Sequence, residues 1–333
     1  MTEHDWRPDP LGAGFTQRTL PLGVDAEGEL VATVVRYTPP GGRVAEAFTR
    51  GEASGCDVLY VHGWSDYFFN PELARYWADR GARFHALDLR KYGRSIRPGQ
   101  TPGYITDLAD YDADIEAALA AIGHGEADAP RRRLIFVGHS TGGLILSLWA
   151  ARHPGRAAAI VLNSPWLEFQ LSRVGREALT PVVSWSARMN PRAQMPNADL
   201  GFYARSVAKE LDGEWEYDHA WRPDRAFPTH PAWLTAILAG HATVAARIDV
   251  GAPVLTLLSK RSTLLARWDP AMLTSDTVLV VDAIAERTLR LGPEVTVARV
   301  DGALHDVFLS REPARAAAYA AVTHWLRGYR PGA

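Results

Sequence analysis

The sequence predicts an α/β protein with a mostly parallel central sheet and helices on both faces of that sheet. Six short apolar runs recur along the chain, and each is followed by a stretch suited to a helix. Such runs are typical of buried parallel strands, and their alternation with helices covers both faces of the sheet. The rhythm stops between residues 166 and 248. This break indicates an inserted segment.

The predicted elements begin with a hairpin, because apolar and polar side chains alternate over residues 15–38 around a turn at Asp25-Ala26-Glu27-Gly28. The parallel strands are predicted at Val58–Val61, Phe84–Leu87, Leu134–Val137, Ile160–Leu162, Val254–Leu258 and Val295–Ala298. The helices are predicted at residues 71–80, 107–122, 142–152, 282–291 and 312–327.

The break in the rhythm suggests a two-part organisation. We expect residues 1–165 and 249–333 to form the α/β core, and residues 166–248 to form an inserted cap, or lid, over the carboxyl edge of the sheet. The insertion has the character of helices and loops, with scattered prolines and five tryptophans: Trp166, Trp185, Trp215, Trp221 and Trp233.

Composition indicates a soluble globular protein. Hydrophobic residues make up 47% of the chain and charged residues 22%, and no apolar run approaches the roughly 18 residues that span a bilayer. The first residues carry acids and a proline where a secretory leader would carry a basic start and an apolar stretch. Cys56 is the only cysteine, which excludes an intramolecular disulfide. We therefore expect a cytoplasmic protein without stable membrane insertion.

Charge and motifs exclude several other classes. The formal net charge is −2 and no basic stripe is present, so we expect no nucleic-acid partner. The chain has no H-E-x-x-H motif, and its Gly12-Ala13-Gly14 fragment lacks the third glycine and the preceding strand of a dinucleotide site. We therefore expect no metal and no organic cofactor. The sequence leaves a homo-oligomer open.

The strongest signal for chemistry is Gly138-His139-Ser140-Thr141-Gly142, which lies between a predicted strand and a predicted helix. A nucleophile at such a turn has strained backbone geometry, so the residues two before and two after it must be small. The N-terminal amides of the following helix would point at the reaction centre. The pattern predicts that Ser140 is a nucleophile; the alternative is a structural turn.

An oxygen nucleophile needs a base, and imidazole has a suitable pKa near neutral pH. Of the two histidines after the last strands, His305 lies in a loop beyond a strand end, whereas His324 lies inside the terminal helix. We therefore predict His305 as the base. The loop after the strand Val254–Leu258 offers three candidates for the orienting acid: Asp276, which we favour, Asp282 and Asp269. Asp269 is suited to a turn or a helix cap, and Asp282 to the first turn of a helix.

The developing oxyanion needs two preorganised donors, usually backbone amides. We predict the amide of Thr141, which follows the nucleophile, and the amide of Trp64 in the turn His62-Gly63-Trp64. The alternative for this turn is a plain strand end. Aromatic residues 67–69 beside the turn indicate an apolar acyl pocket or, alternatively, cap core. The predicted substrate contacts near the turn and the nucleophile are His62, Gly63, Tyr67, Phe68, His139 and Trp166.

Together these motifs resemble the α/β-hydrolase superfamily and, within it, the group of monoacylglycerol lipases, lysophospholipases and serine aminopeptidases. His62-Gly63-Trp64 resembles the oxyanion turn of that group, Asp88–Ser95 its D-x-x-G-x-G-x-S segment and Gly138–Gly143 its G-H-S-x-G-G elbow. The resemblance covers most of residues 50–325. It implies a Ser140–His305–Asp276 triad, and it implies that the insertion is a lid that shapes the acyl pocket.

The chain departs from the pattern of that group at two places. Lys91 replaces the first glycine of the D-x-x-G-x-G-x-S segment. The loop that carries the acid is longer than usual, with Lys260–Thr274 inserted, and Val280 stands where many members carry a second aspartate.

These features favour hydrolysis of a small carboxylic ester, with a short or medium acyl chain or a monoacylglycerol-like structure. Two alternatives stay open. An aminopeptidase could bind a substrate ammonium through an acidic cluster in the insertion, although such clusters are usually solvated. A non-catalytic binding protein on the same fold is the other alternative. The acidic cluster consists of Glu210, Asp212, Glu214, Glu216 and Asp218.

Overall fold

A nine-stranded sheet forms the centre of the protein. The computed structural model describes residues 5–42, 49–125, 132–169, 183–196 and 199–329. The strands are β1 (Arg7–Pro8), β2 (Phe15–Asp25), β3 (Gly28–Tyr37), β4 (Cys56–Val61), β5 (Arg83–Asp88), β6 (Arg133–His139), β7 (Ala159–Asn163), β8 (Val254–Ser259) and β9 (Val295–Val300). Their order across the sheet is β1-β2-β3-β5-β4-β6-β7-β8-β9.

The helices alternate with the strands, as the sequence predicts. They are α1 (Pro71–Ala78), α2 (Tyr111–Ala121), α3 (Thr141–Arg152), α4 (Phe202–Val207), α5 (Pro231–Ala245), α6 (Val281–Thr288) and α7 (Glu312–Tyr329). Residues 183–189 are also helical. The six predicted parallel strands and the five predicted helices are all present, with ends that differ by a few residues. The predicted fold class is confirmed.

The sheet is antiparallel at one edge and parallel elsewhere. Strand β2 pairs with β1 and β3 in antiparallel fashion, and the register Asp25↔Gly28 closes the predicted hairpin. Strand β3 pairs antiparallel with β5, and all pairs from β5 to β9 are parallel. Strand β1 is not among the predicted elements, because its two residues are too few to show an alternating pattern.

The two faces of the sheet bury two separate apolar clusters, since successive side chains of a strand point in opposite directions. In β4, Leu59 and Val61 join the cluster that contains buried residues of α2, α3 and α5. Val58 and Tyr60 join the other cluster, with buried residues of α1 and α7. Helices therefore cover both faces, which explains why the parallel strands are apolar throughout.

The order of the strands determines where a site can form. Strand β4 lies between β5 and β6, and Val61 at its end pairs with Gly138 near the end of β6. The strand that follows β4 in the chain, β5, lies on one side of it, and the next strand, β6, lies on the other side. In open α/β sheets, ligands bind beyond the carboxyl ends of the strands at such a switch point. The loops that follow β4, β6, β8 and β9 all leave from this edge.

Residues 166–248 connect β7 to β8, and part of this segment packs on the sheet. Trp233 and Ile237 of α5 belong to the same buried cluster as α3. A Cβ on Gly240 would lie 2.7 Å from Leu108 and 3.2 Å from Leu148, so α5 sits close against its neighbours. Among the residues that the structure describes, no helix is long and apolar enough to cross a membrane.

Lys91, the first departure from the family pattern, links the β2–β3 hairpin to the loop after β5. Its backbone is left-handed, with φ 62°, a conformation that usually favours glycine. Its side chain is 2% exposed and its Nζ donates to Asp25 and Glu27 at 2.6 Å each. Glu27 also accepts from Thr101 Oγ1 at 2.6 Å and from Arg192 of the inserted segment. The lysine therefore neutralises acids at the hairpin turn.

We expect Lys91→Met to lower the free energy of unfolding by about 2 kcal/mol at pH 7, because it removes charge-assisted hydrogen bonds from two carboxylates. Burial acts to raise the pKa of Glu27, but hydrogen bonds from Lys91 and Thr101 lower it from 4.5 to about 2. The stabilisation is therefore complete above pH 4.5 and is lost as the pH falls toward 2. Urea unfolding between pH 3 and 7 should show a smaller pH dependence in the variant than in wild type.

Lys209→Met is the matched control, because Lys209 pairs with Glu216 on the surface, where both side chains are largely exposed. Exposed pairs of this kind contribute little to stability. An equal loss in both variants would show that the contacts of Lys91 have no special weight.

Candidate active site

Ser140 lies at a tight turn between β6 and α3. Its φ of 49° and ψ of −116° lie outside the regions that non-glycine residues ordinarily occupy. A Cβ on Gly138 would lie 2.8 Å from Gly143, and a Cβ on Gly142 would lie 2.4 Å from the carbonyl oxygens of Val61 and His62. The turn therefore has no room for a side chain at either glycine.

Hydrogen bonds from β7 and beyond fix this turn. The Ser140 amide donates to the Asn163 carbonyl at 3.0 Å, and the Trp166 amide donates to the Ser140 carbonyl at 2.9 Å. The backbone that carries the Ser140 side chain is therefore hydrogen-bonded through both its amide and its carbonyl. The residue is buried, at 7% exposed. Thr141, the predicted first oxyanion donor, is the first residue of α3.

His305 follows β9 and contacts one of the three candidate acids. Its Nδ1 lies 2.9 Å from Asp276 Oδ2, and the two residues are 3% and 0% exposed. The other carboxylate oxygen of Asp276 accepts from the amides of Val278 at 2.7 Å and Leu279 at 2.8 Å. Both oxygens are thus engaged, and one of them faces the imidazole.

The other two candidate acids bond elsewhere. Asp269 accepts from the amide of Ala271 at 2.8 Å and so caps a short helical turn. Asp282 lies in the first turn of α6 and pairs with Arg299 at 2.7 Å, with an exposed side chain. These are the capping and first-turn positions that the sequence suggests for them.

His139, beside Ser140, lies between the turn and the histidine loop. Its ring centroid is 4.9 Å from that of His305, and its Nδ1 lies 3.1 Å from the Asn163 carbonyl, to which it donates. Burial lowers the pKa of His139 from its ordinary value. The imidazole is therefore a neutral packing partner next to His305.

The turn after β4 touches Ser140 through backbone. A Cβ on Gly63 would lie 3.0 Å from Ser140 Cβ and 3.1 Å from the His139 ring. His62 is fully buried, and its Nε2 accepts from the Leu89 amide at 3.1 Å. Its Nδ1 is therefore protonated and donates to the Gly63 carbonyl at 2.8 Å. This imidazole braces the turn that carries the Trp64 amide.

The remaining predicted substrate contacts differ in their surroundings. Phe68 is 1% exposed and packs on Tyr60 and Phe84, in the cluster on the far face of the sheet. We therefore assign packing to Phe68, and bracing to His62, in place of the substrate contact predicted for each. Tyr67 is buried beside the turn and accepts from the Asp218 amide at 2.7 Å, and Trp166 is half-buried.

Asn163 and Asp306, which are not among the residues predicted from the sequence, join the two halves of the site. Asn163 Nδ2 donates to Asp306 Oδ1 at 2.6 Å, and Asn163 Oδ1 accepts from the Val307 amide at 3.0 Å. A polar residue that ends the apolar strand β7 at the carboxyl edge is a signal that could have identified Asn163. Across the described parts of the chain, no group of three or more His, Cys, Asp or Glu side chains could hold a metal ion.

Comparison with known families gives a match over most of the chain. The family model described as "Serine aminopeptidase, S33" matches residues 56–312. This range begins at β4 and ends at the start of α7, so it includes every candidate site residue named above.

Curated relatives match over shorter stretches. A non-heme haloperoxidase of Rhodococcus erythropolis is 36% identical over 120 residues, which is 35% of this chain and 39% of the relative. A monoacylglycerol lipase of Mycolicibacterium smegmatis is 30% identical over 109 residues, 32% of this chain and 37% of the relative. A pimeloyl-[acyl-carrier protein] methyl ester esterase of Chromobacterium violaceum is 29% identical over 171 residues. The chain spans 37% to 52% of the lengths of these three relatives.

Solved structures share the fold over nearly the whole chain. A monoacylglycerol lipase of Paleococcus ferrophilus has a TM-score of 0.60 at 17% identity, covering 84% of this chain and 97% of that one. A soluble variant of the Saccharomyces cerevisiae monoglyceride lipase has a TM-score of 0.61 at 15% identity, covering 97% and 99%. A carboxyl esterase of Bacillus coagulans has a TM-score of 0.62 at 15% identity, covering 94% and 99%.

We expect Gly142→Ala to lower the free energy of unfolding by about 2 kcal/mol or more, because the new methyl group would overlap two backbone carbonyls. Thermal unfolding followed by circular dichroism measures the effect. Gly328→Ala in α7 is the control, since a Cβ there meets nothing within 4 Å. A Gly142→Ala variant as stable as the Gly328→Ala variant would contradict the steric argument.

Proposed function

Because the chain belongs to the serine aminopeptidase S33 family of α/β-hydrolases, we propose that it is a serine hydrolase that cleaves small carboxylic esters. The observation that carries the proposal is the buried hydrogen bond between His305 Nδ1 and Asp276, together with the strained backbone of Ser140. Perturbed backbone geometry of this kind concentrates at functional sites. Nucleophile, base and acid come from the loops after β6, β9 and β8.

The tautomer of His305 fits the role of a general base. The Asp276 carboxylate accepts the Nδ1 proton, which leaves the lone pair of Nε2 free to accept a proton from Ser140 Oγ. Asp276 also stabilises the imidazolium that forms. Ser140 then attacks the ester carbonyl, and the alcohol leaves with the proton that His305 returns. A water molecule repeats these steps on the acyl-enzyme and releases the acid.

The oxyanion of each tetrahedral intermediate needs donors that are fixed before the reaction. We assign this role to the amides of Thr141 and Trp64. Thr141 begins a helix of 12 residues, whose dipole favours negative charge at its first turn. The contact between Gly63 and Ser140 supports the second donor, because it holds the turn after β4 against the nucleophile.

Aromatic side chains support an acyl pocket between the turn and the inserted segment. Trp64 and Trp166 are half-buried, and both pack on Trp233, with ring centroids 3.9 Å and 6.0 Å apart respectively. We propose that residues 166–248 form the cap and that these tryptophans are one wall of the pocket. Short or medium acyl chains, or a monoacylglycerol-like ester, fit this assignment. Tyr67 contributes from the neighbouring loop.

The family is described as a serine aminopeptidase family, so peptidase activity is the second candidate function. An aminopeptidase would need free carboxylates to bind the substrate ammonium. In the acidic cluster of the insertion, Glu210, Asp212, Glu214 and Glu216 pair with His219, Arg205, Arg315 and Lys209. Asp212, Glu214 and Glu216 therefore already pair with arginine or lysine side chains, which favours the ester over the peptide. A non-catalytic binding protein would not need the buried His305–Asp276 pair.

The test is hydrolysis of nitrophenyl esters from acetate to palmitate, by wild type and by Ser140→Ala. We expect an optimum of chain length for wild type and a loss of at least about 10³-fold in kcat/KM for the variant. Ser147→Ala is the matched control, because Ser147 lies two turns along α3 and its Oγ donates to the Gly143 carbonyl at 2.7 Å. We expect the control to keep wild-type activity.

Aminoacyl nitroanilides, assayed in parallel, separate the alternatives. Turnover of anilides alone would replace the ester proposal with the peptidase. Inertness of wild type toward both classes would favour the non-catalytic binding protein.

A further inference from the structure

The loop that begins with the proposed oxyanion donor is held by the inserted segment. We define the oxyanion loop as residues 64–69 and the bracing segment as residues 215–233. A buried ion pair joins the two: Arg222 Nε lies 3.1 Å from Asp66 Oδ1, and both residues are 4% exposed. Burial acts to lower the pKa of Arg222, but Asp66, Tyr203 and Tyr217 together outweigh burial and the pKa is raised. Arg222 is therefore a permanent cation.

Two hydrogen bonds flank this ion pair. The Phe227 amide donates to Ser65 Oγ at 2.9 Å, and the Asp218 amide donates to the Tyr67 hydroxyl at 2.7 Å. Three consecutive side chains of the oxyanion loop are therefore joined to the bracing segment, Asp66 by the ion pair and Ser65 and Tyr67 by hydrogen bonds.

Aromatic contacts follow the same two stretches of chain. Trp64 packs on Trp233 with centroids 3.9 Å apart and ring planes tilted by 40°, and the Tyr67 ring lies 5.2 Å from the Trp221 ring. Phe69 lies 5.2 Å from Tyr217. Polar and apolar contacts thus hold the oxyanion loop at both of its ends and in its middle.

The backbone at this contact is strained on both sides. Ser65 has φ 52°. Ala226, which precedes the Phe227 that donates to Ser65, has φ 57°. Left-handed backbone at a residue other than glycine persists only when its surroundings fix it. Ser65 directly follows Trp64, so a fixed backbone at Ser65 restrains the chain immediately after the residue whose amide is the proposed donor.

Arg222 also reaches the histidine side of the site. Its guanidinium lies 5.0 Å from the ring of Tyr203 and 4.5 Å from the ring of Tyr217. The Tyr203 ring packs edge-on against the His305 ring at 5.3 Å. The Arg222 guanidinium therefore lies between the oxyanion loop and Tyr203, the residue that packs on His305.

We propose that Arg222 is a positioning residue whose ion pair with Asp66 fixes the Trp64 amide for the oxyanion. The inserted segment then belongs to the catalytic scaffold as well as covering the pocket. This inference rests on the proposed function. A misplaced donor reduces the stabilisation of the transition state more than that of the bound substrate. We therefore expect kcat to fall while KM changes little.

The test compares Arg222→Met, Asp66→Asn and the double variant Asp66→Asn/Arg222→Met with wild type, on the best nitrophenyl ester. We expect kcat to fall by roughly 10- to 100-fold in each, with KM within about threefold. Each single variant already breaks the ion pair, so the double variant should lose no more than either of them. The double variant leaves no unpaired buried charge, and it therefore tests the inference even if a single variant folds poorly. Arg222→Lys, which keeps the charge, should recover part of the loss.

Two inhibitors distinguish positioning from general damage. A trifluoromethyl ketone analogue of the ester forms a tetrahedral oxyanion with the serine. Its inhibition constant should therefore rise across the variants in proportion to the fall in kcat/KM. The product alcohol forms no tetrahedral adduct and brings no negative charge to the oxyanion donors, so its inhibition constant should stay within about threefold of wild type.

Arg192→Met is the matched control, because Arg192 also belongs to the inserted segment but its side chain bonds Glu27 and lies 4.2 Å from the ring of Tyr104. We expect wild-type kcat for it. If wild type hydrolyses the ester and the double variant is unaffected, the inference is overturned and the proposed function stands. The same follows if the inhibition constants of both inhibitors rise equally. A wild type that hydrolyses no ester would overturn the proposed function and the inference with it.

Discussion

The turn after β4 and the elbow after β6 meet through backbone, and the rest of the site depends on this contact. Gly142 has no room for a Cβ because the carbonyls of residues 61 and 62 would lie 2.4 Å away, and a Cβ on Gly63 would lie 3.0 Å from Ser140 Cβ. The parallel register of β4 and β6 brings the two ends together. Because both ends are fixed by the sheet, a nucleophile and an oxyanion donor can be held together before any substrate binds.

Asn163 extends this arrangement to the histidine side. Its carbonyl accepts from the Ser140 amide and from His139, while its side chain bonds Asp306 and the Val307 amide in the loop of His305. One residue at the end of β7 therefore connects the elbow with the proposed base. The bracing segment supplies the third connection, from the inserted segment to the oxyanion loop. Each part of the proposed site is thus supported by a different region of the chain.

The sequence predicted the fold well, because buried parallel strands and their helices carry a strong apolar pattern. It also selected Asp276, which the structure brings to His305, over Asp269 and Asp282; the catalytic roles of these residues stay predictions. The sequence could not show that His62 and Phe68 point into the protein, since burial depends on tertiary contacts. It marked Lys91 only as a departure from a pattern. The ion pairs of Lys91 and Arg222 join residues far apart in the chain, and no local motif reports them.

We propose that His305 and Asp276 activate Ser140, and labelling by a fluorophosphonate tests this activation most directly. The measurement is the rate of labelling, with the modified residue identified by mass spectrometry, for wild type, Asp276→Asn, Asp269→Asn and Asp282→Asn. We expect the label on Ser140, a rate lower by roughly 10³-fold or more in Asp276→Asn, and wild-type rates in the other two variants. A label on another residue, or an Asp276→Asn variant that reacts as fast as wild type, would contradict the account.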